Sequence, residues 1–337
     1  MAEDRFTDIG RIEAIRRLYD GTGYGPFRDS RFKSGGEASV MSSSRLFTEG
    51  IDFDLIYCPL KHLGYKCVTA VTGELYAGLS RPMTLSVVLG ISAKLDFGHI
   101  GELWNGMVTA AHEHGYIDVS LDLCPSPNGL SVCVSACGAT DAKTAGKRPA
   151  AASKDLICVS GSLGAAFLGM QVLEREKKTF CESPDDGRQP ELEKYRQFIG
   201  AYLKPELSPC VPDSLADAGI MPSFGYLVSK GLSDAVKRLV RDSGLGAKIY
   251  VDKIPFAGDS FALGKELDID PVSAAMNGGD DFRLLYTIPI LEAEKFRREF
   301  QTFDVIGHLA RTEVGAVLVT PDGAELPIKA QGWPDED

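Results

Sequence analysis

The chain has 337 residues, of which 44% are hydrophobic and 25% are charged, and its formal net charge is −11. This length predicts two domains of about 150 residues each. The acidic balance argues against a nucleic acid or an anionic membrane surface as a partner, although not against ATP. Without a recognisable signal peptide or a membrane-spanning apolar run, we expect a cytoplasmic protein. Its eight cysteines lack Cys-x-x-Cys spacing and are expected to be reduced.

The first half of the chain is predicted to alternate helices and strands. Apolar spacing predicts helices over residues 11–19, 63–79 and 100–114. Runs of β-branched or alternating residues predict strands over 84–91 and 130–137. Residues 21–44 are rich in Gly, Ser, Arg and Phe, so we expect a loop over most of that segment.

A linker rich in Ala and Lys is predicted over residues 139–154, followed by a second α/β unit. Its predicted strands are 155–160, 248–251, 282–288, 305–309 and 316–320, and its predicted helices are 165–178, 192–203 and 232–240. Because helices and strands alternate in both halves, the predicted class is mixed α/β. We place the two domains at residues 1–145 and 146–337.

The segment from Met276 to Pro289 is predicted to be a turn followed by a buried strand. Gly278 and Gly279 permit unusual backbone angles, and Asp280 and Asp281 place two carboxylates at the start of an apolar run. Paired carboxylates at such a position suit a hard cation such as Mg²⁺. A solvated turn before a core strand is the alternative interpretation.

Five local strings, taken in order, resemble the thiamine-monophosphate kinase family of the AIR synthase-like (PurM-like) superfamily. They are Thr48-Glu-Gly-Ile-Asp-Phe-Asp54, Pro59-Leu-Lys-His-Leu-Gly-Tyr-Lys66, Asp155-Leu-Ile-Cys-Val-Ser-Gly-Ser-Leu-Gly-Ala-Ala166, Asn277-Gly-Gly-Asp-Asp281 and Lys329-Ala-Gln-Gly-Trp333. The resemblance covers nearly the whole chain. It implies a two-domain fold, with an N-terminal sheet domain that pairs with a second copy to make a homodimer and a C-terminal α/β sandwich.

The resemblance also implies a chemistry, which is phosphoryl transfer from ATP to thiamine monophosphate. That reaction uses Mg²⁺ ions held by acidic residues to bridge and neutralise phosphate oxygens. A small phosphorylated ligand is therefore expected. An active protein would need Mg²⁺ and ATP, whereas a non-catalytic homologue would need neither.

Several acidic positions of the family pattern carry other residues in this chain. The early Gly-Asp-Asp falls on Phe27-Arg28-Asp29, and an aspartate before the Glu-Gly string falls on Arg45. The Asp-x-Ser-Asp pattern falls on Leu227-Val-Ser-Lys230, so both acids are missing. A basic side chain at a metal-ligand position removes a ligand and repels the metal. We therefore predict that the metal site is eroded while the surrounding fold persists.

The residues that keep acidic or glycine character form the candidate site. Asp122 and Asp281 are the residual catalytic candidates, and Asp29, Glu74 and Asp122 are the candidate Mg²⁺ ligands. The nucleotide-binding candidates are Arg148, Gly161 and Gly164, and the substrate-binding candidates are Glu49, Asp280 and Trp333. Each has a simpler alternative, including solvation for Glu74, Asp122 and Arg148, a local salt bridge for Asp29, tight packing for Gly161 and Gly164, and packing on the protein body for Trp333.

Three functions remain open at this level. The first is a thiamine-monophosphate kinase homologue with reduced or lost catalysis that keeps a nucleotide or phosphate ligand. The second is a working kinase with a rearranged metal site, for which Asp234 is the evident replacement acid. The third is a non-catalytic structural or regulatory homologue.

Overall fold

A computed structural model describes residues 11–20, 32–33, 38–141, 148–182 and 191–333. Its first half contains, in chain order, α1 Arg11–Tyr19, β1 Phe32–Lys33, β2 Ala38–Thr48, α2 Leu60–Ala77, β3 Arg81–Ile91, α3 Phe97–Glu113, β4 Asp118–Pro125 and β5 Ser131–Asp141. Its second half contains β6 Leu156–Ser160, α4 Ala165–Glu182, α5 Arg196–Leu203, α6 Val211–Asp217, β7 Gly225–Val228, α7 Leu232–Ser243, β8 Gly246–Tyr250, α8 Ser260–Leu267, α9 Pro271–Asn277, β9 Arg283–Ile288, α10 Ala293–Glu299, β10 Phe303–Ala310, β11 Ala316–Val319 and β12 Glu325–Pro327.

The strands of the first half form one sheet in the order β1-β2-β5-β3-β4. All pairs are antiparallel except β3 with β4. One face is covered by α2, which packs on β2 and β5 and also against α3. Helix α2 is buried on nearly all sides, with side chains such as Leu63, Val71 and Leu75 in the core. A helix with so little polar surface belongs at the centre of a domain.

Two strands of this sheet differ from the sequence prediction. Strand β2 begins at Ala38, inside the segment predicted to be a loop, and pairs with β5 along its whole length. Its serine-rich sequence has low strand propensity, but backbone pairing with a neighbouring strand stabilises it. Strand β4 was not predicted because it is an exposed edge strand with a polar and apolar mixture. The predicted linker is also shorter than expected, since β5 continues to Asp141.

The second sheet has the order β12-β11-β8-β10-β6-β9-β7 and is antiparallel except where β8 meets β11. Helix α7 packs on β7, β8 and β11. Its face carries Val236 and Leu239, which share a core cluster with Ile157 and Ile249 of the sheet. Helices α5, α8 and α9 pack against α4. The helices predicted at 165–178 and 232–240 are present and slightly longer.

Both halves contribute to one continuous core. Leu63 and Val71 of α2 lie in the same cluster as Leu227 of β7 and Phe282 before β9. The Tyr286 hydroxyl donates a hydrogen bond of 2.7 Å to the Tyr76 carbonyl oxygen. Helix α2 is therefore packed between the two sheets. Across the described residues, none of the helices combines the length and apolar character needed to cross a bilayer.

Candidate functional site

A cleft of about 520 Å³ lies between the two sheets. Its walls come from α1, β2, α2, the end of β7 and α7. Apolar residues include Ile12 and Ile15 of α1, and hydroxyl groups include those of Ser43 and Ser229. The charged lining residues are Arg45, Asp52, Glu74, Lys230, Asp234, Arg238 and Arg241. Cations and carboxylates thus face the same space.

An arginine of α7 is bound to two carboxylates of the charged wall, those of Glu74 and Asp234. The Arg238 Nη1 and Nη2 atoms each lie 3.3 Å from an oxygen of Glu74. Nη1 also lies 3.9 Å from Asp234 Oδ2. Burial opposes the charge of Arg238, but its attraction to Glu74 and the hydrogen bonds between them raise its pKa above the ordinary value. The guanidinium thus stays charged and joins α2 to α7.

A second arginine lies between two carboxylates at the end of β2. Arg45 Nη2 is 3.8 Å from Asp52 Oδ1 and 3.6 Å from Asp280 Oδ1. Its guanidinium carbon lies 4.6 Å from the ring centroid of Phe47 and 5.7 Å from that of Phe282. These ring contacts hold the guanidinium by cation–π attraction.

The Asp280 carboxylate forms ion pairs with two cations, Arg45 and Lys66. Lys66 Nζ lies 2.8 Å from Asp280 Oδ2 and 3.6 Å from the ring centroid of Tyr202. The Lys66 side chain is only 3% exposed. The Lys66 contact lies outside hydrogen-bond angles, so it acts as a buried ion pair rather than as a directed hydrogen bond. The carboxylate predicted to bind substrate is therefore already paired within the chain.

Backbone geometry makes Asp280 and Asp281 diverge. Gly279, Asp280 and Phe282 have φ values of 84°, 61° and 48°. A left-handed conformation is costly for an aspartate or a phenylalanine, so the surrounding contacts must hold the turn. One such contact is the hydrogen bond from the Asp280 N–H to the Ser229 carbonyl oxygen, at 3.0 Å.

Asp281 points away from the cleft and caps helix α4. Its carboxylate accepts hydrogen bonds from the Gly164 N–H at 2.8 Å and the Ala166 N–H at 3.2 Å. Burial raises the pKa of Asp281 to about 7, although both hydrogen bonds favour the ionised form. A carboxylate at the first turn of a helix satisfies N–H groups that have no partner inside the helix. Among the described contacts, the catalytic candidate Asp281 thus has a packing role.

The two glycines predicted to bind a nucleotide have partners within the chain. The Gly161 N–H donates to the Thr302 carbonyl oxygen at 3.2 Å, and the Gly164 N–H donates to Asp281. A Cβ atom on Gly164 would lie 2.9 Å from the Ala275 nitrogen. The anion that faces this helix start is the carboxylate of Asp281, and close packing against α9 requires the glycine.

Asp122 and Glu74 lie on opposite faces of the first sheet. The strand register places Asp122 at the end of a row that continues through Val88, Cys133 and Leu46, on the face away from α2. Alternation along β2 puts Arg45 on the other face, where it lines the cleft with Glu74. The Asp122 carboxylate accepts from the Leu123 N–H. Within one chain these two candidates therefore cannot bind the same metal ion.

The described residues do not fit a Mg²⁺ site. Within that part of the chain, no group of three or more His, Cys, Asp and Glu side chains is arranged to hold a metal. The nearby carboxylates Glu74 and Asp234 share a guanidinium, which supplies the positive charge a metal would bring. The metal candidate Asp29 and its neighbour Arg28 lie outside the described residues.

The remaining candidates are placed around the cleft or away from it. The Glu49 carboxylate accepts from the Leu130 N–H at 2.6 Å, at the start of β5. The Arg148 guanidinium donates to the Ala77 carbonyl oxygen at 3.5 Å, at the end of α2. The Trp333 indole N–H donates to Asp234 Oδ1 at 2.9 Å, and its ring packs near Arg241 of α7. Trp333 thus packs on the protein body, as its alternative interpretation proposed.

Sequence reasoning did not single out Arg238, the residue that organises the charged wall. Its signal was available, because Asp234 and Arg238 are four residues apart on a predicted helix and such pairs lie side by side. The contact between Arg238 and Glu74 was not available, because it joins residues 164 positions apart. Lys66 ends the Pro59–Lys66 string of the sequence resemblance, but no binding or catalytic role was predicted for it.

Comparison with known proteins shows which sequences and folds this chain resembles. No family model matches the chain. The thiamine-monophosphate kinase of Aquifex aeolicus (strain VF5) is 21% identical over 295 residues, which span 87% of this chain and 87% of the relative. The chain is a homologue of the thiamine-monophosphate kinases.

Solved structures of a thiamine-monophosphate kinase and of another protein share the fold. AaThiL complexed with AMPPCP and TMP superposes with a TM-score of 0.80 at 18% identity, covering 99% of both chains. The hydrogenase maturation protein HypE in complex with ATP superposes with a TM-score of 0.64 at 17% identity, covering 94% of this chain and 91% of that one. The predicted mixed α/β class and AIR synthase-like fold are thus confirmed.

Proposed function

We propose that this thiamine-monophosphate kinase homologue binds a nucleotide or another small phosphorylated ligand in the cleft, with phosphoryl transfer reduced or lost. The observation that carries the proposal is the pairing of Glu74 and Asp234 with Arg238. In-line transfer to a phosphate acceptor requires cations that bridge the transferring phosphoryl group and neutralise developing charge. Carboxylates that are already neutralised by an arginine are poor ligands for such cations.

The nucleotide that we propose is ATP. Solved structures that share this fold include AaThiL in complex with AMPPCP and TMP and HypE in complex with ATP. In the family reaction, an oxygen of thiamine monophosphate bonds to the γ-phosphorus of ATP and the β–γ bridging bond breaks, which releases ADP. The present cleft offers arginine donors for such phosphates, because a guanidinium matches the geometry of phosphate oxygens.

A working kinase with a rearranged site is the second candidate. Asp234 and Asp52 both line the cleft, so acidic groups remain within reach of a ligand there. Binding of Mg²⁺-ATP would then have to displace Arg238 from Asp234 and Arg45 from Asp52. We rank this candidate second because each displacement breaks an existing ion pair.

We also propose a homodimer formed through the outer face of the first sheet. This face carries small side chains in register across four strands, including Ser44, Ser135, Ser86 and Ser120. Small side chains allow a second sheet to approach closely. Leu46 is 57% exposed and Val88 is 40% exposed on the same face, and a second copy would cover both.

The test of reduced catalysis is ADP formation from ATP in the presence of thiamine monophosphate and Mg²⁺. The matched control is the Aquifex aeolicus relative assayed under the same conditions. We expect ATP to bind to the present protein, with ADP formation at least about a hundredfold slower than in the control, a difference of the size that loss of transition-state charge stabilisation produces. Equal rates would contradict reduced catalysis and would favour the working kinase.

A further inference from the structure

We propose that the cleft binds its phosphate-bearing ligand without a divalent cation, because arginines of the chain supply the positive charge. The inference rests on the proposed function for the location of the ligand. It goes beyond that function because it identifies protein side chains, and not a metal ion, as the source of the positive charge that binds the ligand. The ligand class is a small polyphosphate or phosphate ester.

The charge of the cleft lining already favours an anion. Among the described residues, its lining contains four cationic side chains, those of Arg45, Lys230, Arg238 and Arg241, and three carboxylates. This described part of the lining is net positive by one charge before any ion is added. A divalent cation would add two more charges beside the guanidinium of Arg238, and like charges at such distances repel strongly where water is partly excluded.

The donor capacity of the two arginines is the second step. Arg238 commits Nη1 and Nη2 to Glu74, while a guanidinium carries five N–H donors in all. Arg45 lies 3.6 Å and 3.8 Å from its two carboxylates, which is beyond hydrogen-bond distance. Both side chains can thus donate to an anion while they keep their present partners.

The third step is preorganisation. Arg45 is held over the ring of Phe47, and the guanidinium of Arg238 lies 4.9 Å from the ring centroid of Tyr226. Rings fix a guanidinium without competing for its N–H donors. Arg45 comes from β2 of the first sheet and Arg238 from α7, which packs on the second sheet, so an anion between them would be bound from two sides.

The experiment is calorimetric titration of the full chain with inorganic tripolyphosphate, once in EDTA and once in excess Mg²⁺. We expect binding in EDTA and an affinity that does not rise when Mg²⁺ is added. Binding that requires Mg²⁺ would overturn the inference, and so would the absence of binding in both buffers. A paramagnetic resonance titration with Mn²⁺ alone is a second readout, in which the inference predicts no ion bound by the protein.

Variants locate the anion within the cleft. Arg45→Met should weaken tripolyphosphate binding in EDTA about tenfold, because a charge-assisted hydrogen bond is lost. Because Arg238→Met would leave Glu74 without its partner, the double variant Glu74→Gln with Arg238→Met is used and should also weaken binding. Arg298→Met is the matched control, since this arginine lies on α10 with a side chain that is 74% exposed. Equal affinities for all three proteins and the wild type would overturn the inference.

The titrations and the ADP assay distinguish a failure of metal-free binding from a failure of the proposed function. Tripolyphosphate binding in EDTA together with rapid ADP formation would support metal-free anion binding and contradict reduced catalysis. Binding only in Mg²⁺ without ADP formation would contradict the inference and leave the proposal of reduced catalysis in place.

Discussion

Asp281 shows how one side chain can serve the fold at a position where a catalytic group was predicted. Its carboxylate joins the turn after α9 to the first turn of α4 through Gly164 and Ala166. It is 4% exposed, so the hydrogen bonds replace water that the group has lost. Its neighbour Asp280 instead faces Arg45 and Lys66. Two adjacent carboxylates thus belong to different contacts.

Replacing Asp281 with Asn tests this role. Both oxygens of a neutral carboxyl group can still accept from the Gly164 and Ala166 N–H groups, whereas the amide NH₂ of Asn cannot accept, so the free energy of unfolding at pH 5 should fall by about 1–3 kcal/mol. The folded pKa of about 7 lies above the unfolded value of about 4. The wild type is thus fully stabilised by this group below pH 4 and loses that contribution as the pH rises towards 7. Urea unfolding at pH 5 and pH 8 should show a larger deficit for the variant at pH 5, and a deficit that grows with pH would contradict this account.

His114 is the second buried titratable side chain with an evident consequence for stability. Its Nδ1 lies 3.1 Å from the Tyr76 hydroxyl, and its Nε2 is buried with no hydrogen-bond partner among the described residues. Burial lowers the pKa of His114, because the charged ring would leave a second N–H without an acceptor.

The pH dependence follows from that direction. A lowered folded pKa means that the stabilisation by neutral His114 is complete above the unfolded pKa of about 6.5 and is lost as the pH falls below it. His114→Gln should therefore show a smaller fall in the free energy of unfolding between pH 7.5 and 5.5 than the wild type. His112→Gln, at an exposed position in the last turn of α3 just before His114, is the control. An identical fall in His114→Gln and wild type would contradict the assignment.

At the scale of elements, the contact between α2 and α3 depends on two glycines. A Cβ atom on Gly64 would lie 2.1 Å from the Leu103 carbonyl oxygen, and one on Gly106 would lie 1.9 Å from the Lys61 carbonyl oxygen. These distances are far shorter than van der Waals contact, and the obstacles are backbone atoms that cannot move alone. The helices therefore meet along their backbones.

Gly64→Ala should lower the free energy of unfolding by about 2–3 kcal/mol, because the added methyl group forces the helices apart. Gly101→Ala is the matched control on α3, where an added Cβ meets nothing within 4 Å. It should raise stability by about 0.5–1 kcal/mol through helix propensity alone. Thermal or urea unfolding distinguishes the two, and equal effects of both substitutions would contradict close helix contact.

The elements also show which sequence signals were sufficient. Helices α2, α3, α4 and α7 follow long apolar patterns, and their spacing predicted them within a few residues. Strand β2 was missed because Ser42, Ser43 and Ser44 have little strand preference and owe their conformation to pairing with β5. Tertiary pairing of this kind leaves no local signal.

In the whole molecule, ion pairs join the two halves of the chain, in addition to the core around α2. Lys177 Nζ lies 2.6 Å from Asp54 Oδ2, and Arg81 Nη2 lies 2.7 Å from Asp213 Oδ1. The contact between Glu74 and Arg238 is a third pair of this kind. The sequence resemblance included Asp54 and Glu74, whereas their partners Lys177 and Arg238 depend on the folded arrangement.

A charged substitution on the outer face of the first sheet tests the proposed homodimer. Ser135→Arg adds a long charged side chain to the middle of the outer face of the first sheet. In the proposed dimer this charge would be buried without a partner, so the variant should be monomeric. Thr109→Arg on the exposed side of α3 is the control and should leave the mass unchanged. Sedimentation equilibrium checks the masses, and a monomeric wild type or a dimeric Ser135→Arg would contradict this interface.

Titration of the full chain with ATP, in EDTA and in Mg²⁺, shows whether the cleft needs a metal ion to bind its ligand. We propose that arginines paired with the carboxylates of the cleft supply the charge that a metal ion would otherwise bring. The predicted result is heat of binding in EDTA, with no gain in affinity on adding Mg²⁺ and little ADP formed afterwards. Binding that appears only with Mg²⁺ and is followed by rapid ADP formation would contradict it.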